Sequence, residues 1–394
     1  MKTILIILYL LQHKTVYANP YTQPQQVHLS FGFELNNLVI TWNTPHPTYS
    51  SIVQYSHNQL DYIDVKGYQT KFSNSNNTQY IHRVLLSNLE YNTEYFYRCG
   101  DNIGGWSNLF RFNTVPLNNW SPKLAVYGDM GLTNAKSLPE LQQIAQDKKI
   151  DAVLHIGDFA YNMHDDYGKV GDKFMNNIEP IAAYVPYMVS VGNHEQYNNY
   201  SNYKNRFTMP SINNENFFYN FTMGDACFIA YSTEFYFTDI KAALIQFEWL
   251  NKTLQEQTCP WIITYGHRPM YCSNLGHDDC TKVMSMVRLA LEQLFYDNRV
   301  DIALSAHEHS YQRTYKMLNS QIDPKGFYHI VSGSAGCREH HDPFTKKVPK
   351  WSAFTSDDYG YGILEIVNAT HIYWEQISVE HYPSKVIDSK WYIK

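Results

Sequence analysis

Five short apolar runs, at residues 124–127, 152–156, 187–191, 261–264 and 302–304, each give way within a few residues to side chains carrying oxygen or nitrogen donors. The first passes into Gly128-Asp129, the second into Gly157-Asp158-Phe159-Ala160-Tyr161 and the third into Gly192-Asn193-His194-Glu195. The fourth leads to His267, and the fifth to Ala306-His307-Glu308-His309. Runs this short and this apolar read as strands buried on both faces, as in parallel sheets covered by helices. Between them, residues 138–146, 241–254 and 283–296 carry apolar side chains at three- and four-residue spacing and read as helices. The pattern is an α/β layered one, and open α/β sheets place their sites at the carboxyl ends of their strands. Every donor in the set falls at such an end. Gly128, Gly157 and Gly192 are read as permitting the abrupt turn that aims the next side chain into the crevice. Singly each block is an ordinary turn, loop pair or core residue. Together, two Asp, one Asn, three His and one Tyr make a mixed hard-and-imidazole set that suits iron, zinc or manganese rather than calcium.

The chain ahead of this region has another rhythm. Residues 27–31, 38–42, 52–55, 81–86 and 95–99 read as short alternating strands separated by Asn, Gly, Pro and Ser, which suggests an antiparallel sandwich of about 100 residues. Trp42 and Tyr95 are its natural core and corner residues. With 394 residues, 44% of them hydrophobic, the chain exceeds the roughly 250–300 residues that one core supports. We therefore expect at least two cores: a sandwich domain over residues 22–116 and a catalytic α/β domain over 121–394, joined through the polar stretch 116–123.

A net charge of −6 gives no basic footprint for nucleic acid and no polybasic membrane patch. Residues 1–18 begin with Lys2, continue through an apolar run at 4–11 and end in Val16-Tyr17-Ala18, the arrangement of a signal peptide; no stretch is long enough to span a bilayer. The expected location is secreted or lysosomal. Sequons then gain meaning at Asn76, Asn119, Asn199, Asn220, Asn251 and Asn368 as N-glycan acceptors. Six cysteines allow 15 pairings, of which only Cys272 with Cys280 is local enough to favour. An oxidising compartment favours disulfides over zinc ligation, and no CxxC pair exists.

The ordered donor set resembles that of the metallophosphoesterases, and Tyr161, three residues after Asp158, makes it similar to the purple acid phosphatases. Gln25-Gln26-Val27-His28-Leu29-Ser30, the sandwich, and His267-Arg268-Pro269-Met270-Tyr271-Cys272-Ser273 resemble the larger animal type, with a fibronectin-III-like domain ahead of a catalytic β-sandwich flanked by helices. The resemblance implies Fe(3+) held by Asp129, Asp158, Tyr161 and His309. It implies a divalent metal, Fe(2+), Zn(2+) or Mn(2+), held by Asp158, Asn193, His267 and His307, with Asp158 bridging. A phenolate and carboxylates suit the harder trivalent ion, and imidazoles with an amide leave less negative charge at the other site. The implied activity is acid phosphatase: hydrolysis of a small phosphate monoester to alcohol and orthophosphate by metal-activated hydroxide. His194 would orient substrate or protonate the leaving alkoxide, supported by His277 in the 272–280 loop. Protonated imidazoles favour activity at acidic pH.

The sequence departs from the family pattern in three places. Ala306 stands where Gly is usual, Thr264 where a hydrophobic residue is usual, and His277 is the one imidazole in a loop that carries two in some members. Two other functions compete. A phosphodiesterase or nucleotidase with two divalent ions fits Tyr161 poorly, and an inert secreted recognition protein fits poorly with an intact donor set. In every reading the sandwich stays available to a homodimer or another partner.

Overall fold

Alternation of inward apolar and outward polar side chains builds the first domain of the computed structural model, which describes residues 19–74, 77–211 and 215–394. The expected signal at 1–18 and the sequon at Asn76 lie outside the described residues. Strands Gln25–Phe31, Leu38–Thr44, Asn77–Leu86 and Tyr68–Asn74 form one antiparallel sheet in that spatial order. The facing sheet runs Ile63–Lys66, Ile52–Ser56, Glu94–Asp101, Gly105–Trp106, with Phe110–Asn113 also paired to Glu94–Asp101. Trp42 is buried and stacks on His82 at 4.8 Å, and the Tyr95 hydroxyl accepts the backbone N–H of Glu90 at 3.1 Å, fastening the corner.

The second region is built on two sheets. Strands Tyr187–Ser190, Ala152–Ile156 and Lys123–Tyr127 are parallel neighbours, extended by the antiparallel strands Gly360–Asn368, His371–Ser378 and Lys385–Ile393. The other sheet runs Tyr219–Met223, Ala226–Ala230, Trp261–Tyr265, Ile302–Ser305, Tyr328–Ser332, Tyr311–Thr314, Ser352–Ser356. Its four strands from Ala226–Ala230 to Tyr328–Ser332 are parallel. Helices Leu138–Gln146, Ile240–Glu256 and Met286–Asp297 fall where the apolar spacing predicts them. Helices Lys169–Ala182 and Tyr197–Arg206, the last three strands, and the five strands of the seven-stranded sheet other than Trp261–Tyr265 and Ile302–Ser305 were not anticipated from the sequence. Among the described residues, no helix is long and apolar enough to cross a membrane.

Two apolar cores form, but they do not divide by domain as expected. One runs without a break from Val27, Trp42 and Tyr97 of the sandwich into Tyr127, Ile156 and Val189 of the six-stranded sheet and on to Phe228 and Tyr265. The other lies between the seven-stranded sheet and its helices, around Leu250, Leu291 and Phe295. The favoured Cys272–Cys280 disulfide is present, Cys227 pairs with Cys259, and Cys99 and Cys337 are buried free thiols.

Candidate metal centre

The five strands that carry the donors are Lys123–Tyr127, Ala152–Ile156 and Tyr187–Ser190 in one sheet and Trp261–Tyr265 and Ile302–Ser305 in the other. Their carboxyl ends converge between the sheets. Backbone contacts hold the ends together: Gly128 N–H donates to Ser332 O at 2.9 Å, and Ala306 N–H to His267 O at 2.9 Å. Glu195, fully buried, accepts the N–H groups of Asp158, Phe159 and Gly192 at 2.9, 3.1 and 2.9 Å and so ties two donor turns to each other. The Asp129, Asp158, Tyr161 and His307 backbones all take positive φ, at 57°, 52°, 49° and 72°. Such conformations in non-glycine residues concentrate where surrounding structure holds a functional geometry.

The donors fall into two groups. In one, the Tyr161 hydroxyl lies 2.9 Å from Asp129 Oδ1 and 2.8 Å from His309 Nε2. In the other, His267 Nε2 stands 3.2 Å from Asp158 Oδ2, 3.2 Å from Asn193 Oδ1 and 3.2 Å from His307 Nδ1. His194 sits above Asp158, its Nε2 3.8 Å from Oδ2 and its Nδ1 2.7 Å from Asn162 Oδ1. His277 is exposed on the rim of the same cavity, about 280 Å³, and forms no hydrogen bond or ion pair among the described residues. Eight of the nine residues singled out in the sequence thus meet at one place, with His277 at its mouth.

Three family profiles match the chain: calcineurin-like phosphoesterase over residues 122–311, the N-terminal domain of purple acid phosphatase over 24–114, and an iron/zinc purple acid phosphatase-like C-terminal segment over 326–389. Acid phosphatase type 7 of Danio rerio is 44% identical across 95% of this chain and 92% of its own length. The human protein of that name is 42% identical across 99% and 95%. The chain belongs to the purple acid phosphatase family. A purple acid phosphatase from yellow lupin seeds superposes with a TM-score of 0.82 at 25% identity, covering 94% of this chain and 74% of the lupin chain.

As a purple acid phosphatase this chain is a metallophosphoesterase acting on small phosphate esters, and the family implies a dinuclear metal centre. The residues fit such a centre. Asp129 and Asp158 are buried, yet their ion pairs among the described residues are all to histidine. Buried carboxylates without a permanent cation are costly, and the electrostatics register that cost. Burial, reinforced by Asp158, pushes the Asp129 carboxyl well above its usual range. Burial would lower the His267 imidazole, but Asp158 and Asp129 outweigh it and raise it to about 10. Burial, with Asp129 and Asp158 adding to it, likewise raises the Tyr161 phenol far above its ordinary value.

Each imidazole, moreover, has its outer nitrogen engaged. His267 Nδ1 donates to Ile156 O at 2.8 Å, His309 Nδ1 to His340 O at 2.9 Å, and His307 Nε2 to Asp278 Oδ2 at 2.6 Å. In this arrangement the inner nitrogens, His267 Nε2, His309 Nε2 and His307 Nδ1, face the other donors, and on His267 a metal ion would replace the proton that Asp158 and Asp129 hold there. Asp278 was missed in the sequence because its loop was read only for imidazoles; its place two residues before Cys280 was the available signal. Arg268, next to His267, bonds Glu234 at 2.9 Å and approaches His307 Nε2 at 3.0 Å. Asn162, Glu234 and Asp342, which accepts the His309 N–H at 2.7 Å, carried no sequence signal.

Proposed function

We propose that the chain is an acid phosphomonoesterase whose Fe(3+) is held by Asp129, Asp158, Tyr161 and His309. The divalent ion, Fe(2+), Zn(2+) or Mn(2+), is held by Asp158, Asn193, His267 and His307. The observation that carries this reading is the anchoring of three imidazoles by their outer nitrogens, which leaves three inner nitrogens converging with two carboxylates, an amide and a phenol. When bound, the metal pair supplies Lewis-acid polarisation of the phosphate and lowers the pKa of water. The chain's own residues do the remainder. His194, its Nδ1 donating to Asn162, turns Nε2 into the cavity, where it orients the phosphate and passes a proton to the departing alkoxide. His277 supports it from the loop tied by Cys272–Cys280. A small polar cavity favours a compact monoester over a bulky diester. The reading extends to secretion or lysosomal delivery behind residues 1–18, to glycans at the sequons and to a homodimer through the sandwich.

One preparation tests it. The secreted protein should contain two metals per chain, show a visible charge-transfer band and hydrolyse monoesters best at acidic pH. Tyr161→Phe should lose the band, and Asp158→Ala should lose both metals. A colourless protein with two zincs would refute the iron–phenolate assignment, and an Asp158→Ala variant that keeps two metals would refute the bridge.

A further inference from the structure

A groove of mixed polarity, with aromatic rings set among Glu34, Asn220 and Thr222, runs between the sandwich and the edge of the seven-stranded sheet. Its volume is about 440 Å³, within the roughly 300–1,000 Å³ of ligand-holding clefts. Phe33, Leu35 and Tyr91 line it from the sandwich, and Phe218 and Trp249 from the catalytic domain. Phe33 is 73% exposed and Tyr91 38% exposed on the sandwich wall, and Phe218 and Trp249 are half-buried on the facing one. Strand Tyr219–Met223 lies along the groove and is the sheet's edge, paired among the described residues only with Ala226–Ala230. An open edge beside exposed aromatics invites pairing with another chain unless something covers it.

The sequence supplies a cover at that spot. Asn220-Phe221-Thr222 is one of the six sequons, and in this strand residues 219, 221 and 223 are buried while Asn220 and Thr222 point outward. Because side chains alternate along a strand, Phe218 precedes Asn220 on the same face, and its ring packs against Trp249 at 4.9 Å. The acceptor asparagine thus stands in the groove beside two aromatic rings. Its amide is also free: Asn220 makes no side-chain hydrogen bond among the described residues. Asn251 and Asn368 accept local bonds at their side-chain oxygens, from Gln255 at 3.0 Å and from the backbone of Thr370 and His371 at 2.9 and 3.0 Å, while Asn119 and Asn199, like Asn220, make none among the described residues; what sets Asn220 apart is the groove around it.

We propose that this groove is the seat of an N-linked glycan on Asn220, its first sugars packed on Phe218 and Trp249 and reaching Phe33 of the sandwich. The apolar faces of pyranose rings suit aromatic faces, and attachment from the groove floor removes most of the entropic cost of association. In the forming step the Asn220 Nδ2 bonds to the anomeric carbon of a lipid-diphosphate-linked oligosaccharide; the carbon–oxygen bond to diphosphate breaks, the lipid diphosphate leaves, and the amide loses one proton. The glycan would then both shield the edge strand and bridge the domains. The proposal rests on the secretory reading of residues 1–18.

The test uses the full chain secreted from eukaryotic cells. Glycopeptide mass spectrometry should find Asn220 occupied. Asn220→Gln and Thr222→Ala remove the sequon through different exposed residues, and each should lower Tm by roughly 2–4 °C and raise hydrogen exchange at residues 32–35. Trimming to a single N-acetylglucosamine should keep most of the protection. Glycans on other sequons with Asn220 bare would overturn the groove assignment alone. No glycan on any sequon would overturn the secretory reading together with it. An occupied Asn220 whose removal changes neither Tm nor exchange would leave the site but refute the packing.

Discussion

At the scale of single residues, the centre is determined as much by what holds the donors as by the donors. An imidazole has two nitrogens, and the one that is hydrogen-bonded outward decides which is left to face inward. Backbone oxygens do this for His267 and His309, but for His307 the acceptor is a side chain, Asp278. Burial raises the Asp278 carboxyl, yet the bond from His307 and the nearby Arg268 outweigh burial and hold it well below the usual carboxylate range. Asp278 therefore remains an acceptor at acidic pH, where an acid phosphatase works. We expect Asp278→Ala to weaken the divalent site by roughly 10–100-fold, with Asp278→Asn losing less because its amide oxygen can still accept the proton. Titration of metal-free protein with Zn(2+), followed by direct metal analysis, measures this without activity. Unchanged affinity in the alanine variant would mean that another group orients His307.

At the scale of elements, the turns after the strands work by close approach. The sequence suggests backbone freedom at Gly128, Gly157 and Gly192, but of these only Gly157 takes a positive φ, at 80°. A Cβ there would also stand 2.6 Å from His267 Nδ1. Gly192 has φ −112°, and its constraint is space, since a Cβ would meet Asp158 Oδ1 at 2.1 Å. A Cβ on Gly128 would meet the Ala306 methyl at 2.4 Å. This explains how the chain tolerates Ala306 where the family usually has Gly: the opposing residue has no side chain. Gly128→Ala should destabilise by about 1–3 kcal/mol through overpacking, and the double variant with Ala306→Gly should recover part of that loss. Recovery is incomplete because Ile156 O also lies 2.9 Å from the added carbon. Strictly additive single effects in denaturant titrations would exclude the contact. The five donor strands were legible because burial on both faces leaves an unbroken apolar run, whereas strands such as Lys385–Ile393, half exposed and mixed in polarity, were not. Helix Tyr197–Arg206 was not, because its sequence YNNYSNYKNR has no aliphatic stripe and only Tyr200 and Tyr203 bury their rings, among Asn, Ser and Lys. The donors were legible by their place after strands, whereas Asp278, Asn162 and Glu234 lie in loops with no periodic signal.

At the scale of the whole molecule, the sandwich is docked. Strand Gln25–Phe31 lies against helix Lys169–Ala182, where the Val27 N–H donates to Glu179 Oε2 at 2.8 Å. Arg206, fully buried, reaches Asp172 at 2.7 Å, Gln26 at 3.3 Å and Gly168 O at 3.0 Å, and the Tyr97 hydroxyl donates to Ala183 O at 2.8 Å. With one apolar core crossing the boundary, the two domains should unfold together. His28 sits in that boundary beside Phe207, its ring bonded to Gln26 O at 2.8 Å, and burial with help from Arg83 lowers its pKa to about 4. The unfolded chain binds this proton near pH 6.5, whereas the folded chain resists it until about pH 4, so the unfolded state holds more protons in between. Stability therefore rises with pH across that window and is lost on acidification, by at most roughly 3 kcal/mol for this residue. The domain junction is weakest in the acidic range that suits the chemistry. His28→Gln removes the titration while keeping an amide that can donate to Gln26 O. We expect the variant to be less stable than the parent at pH 7 but to lose less between pH 6.5 and 4.5, as read by calorimetric Tm at matched metal content. Parallel pH profiles would show that His28 does not set the acid sensitivity, and would shift attention to His82, buried in the sandwich core with its pKa also lowered to about 4.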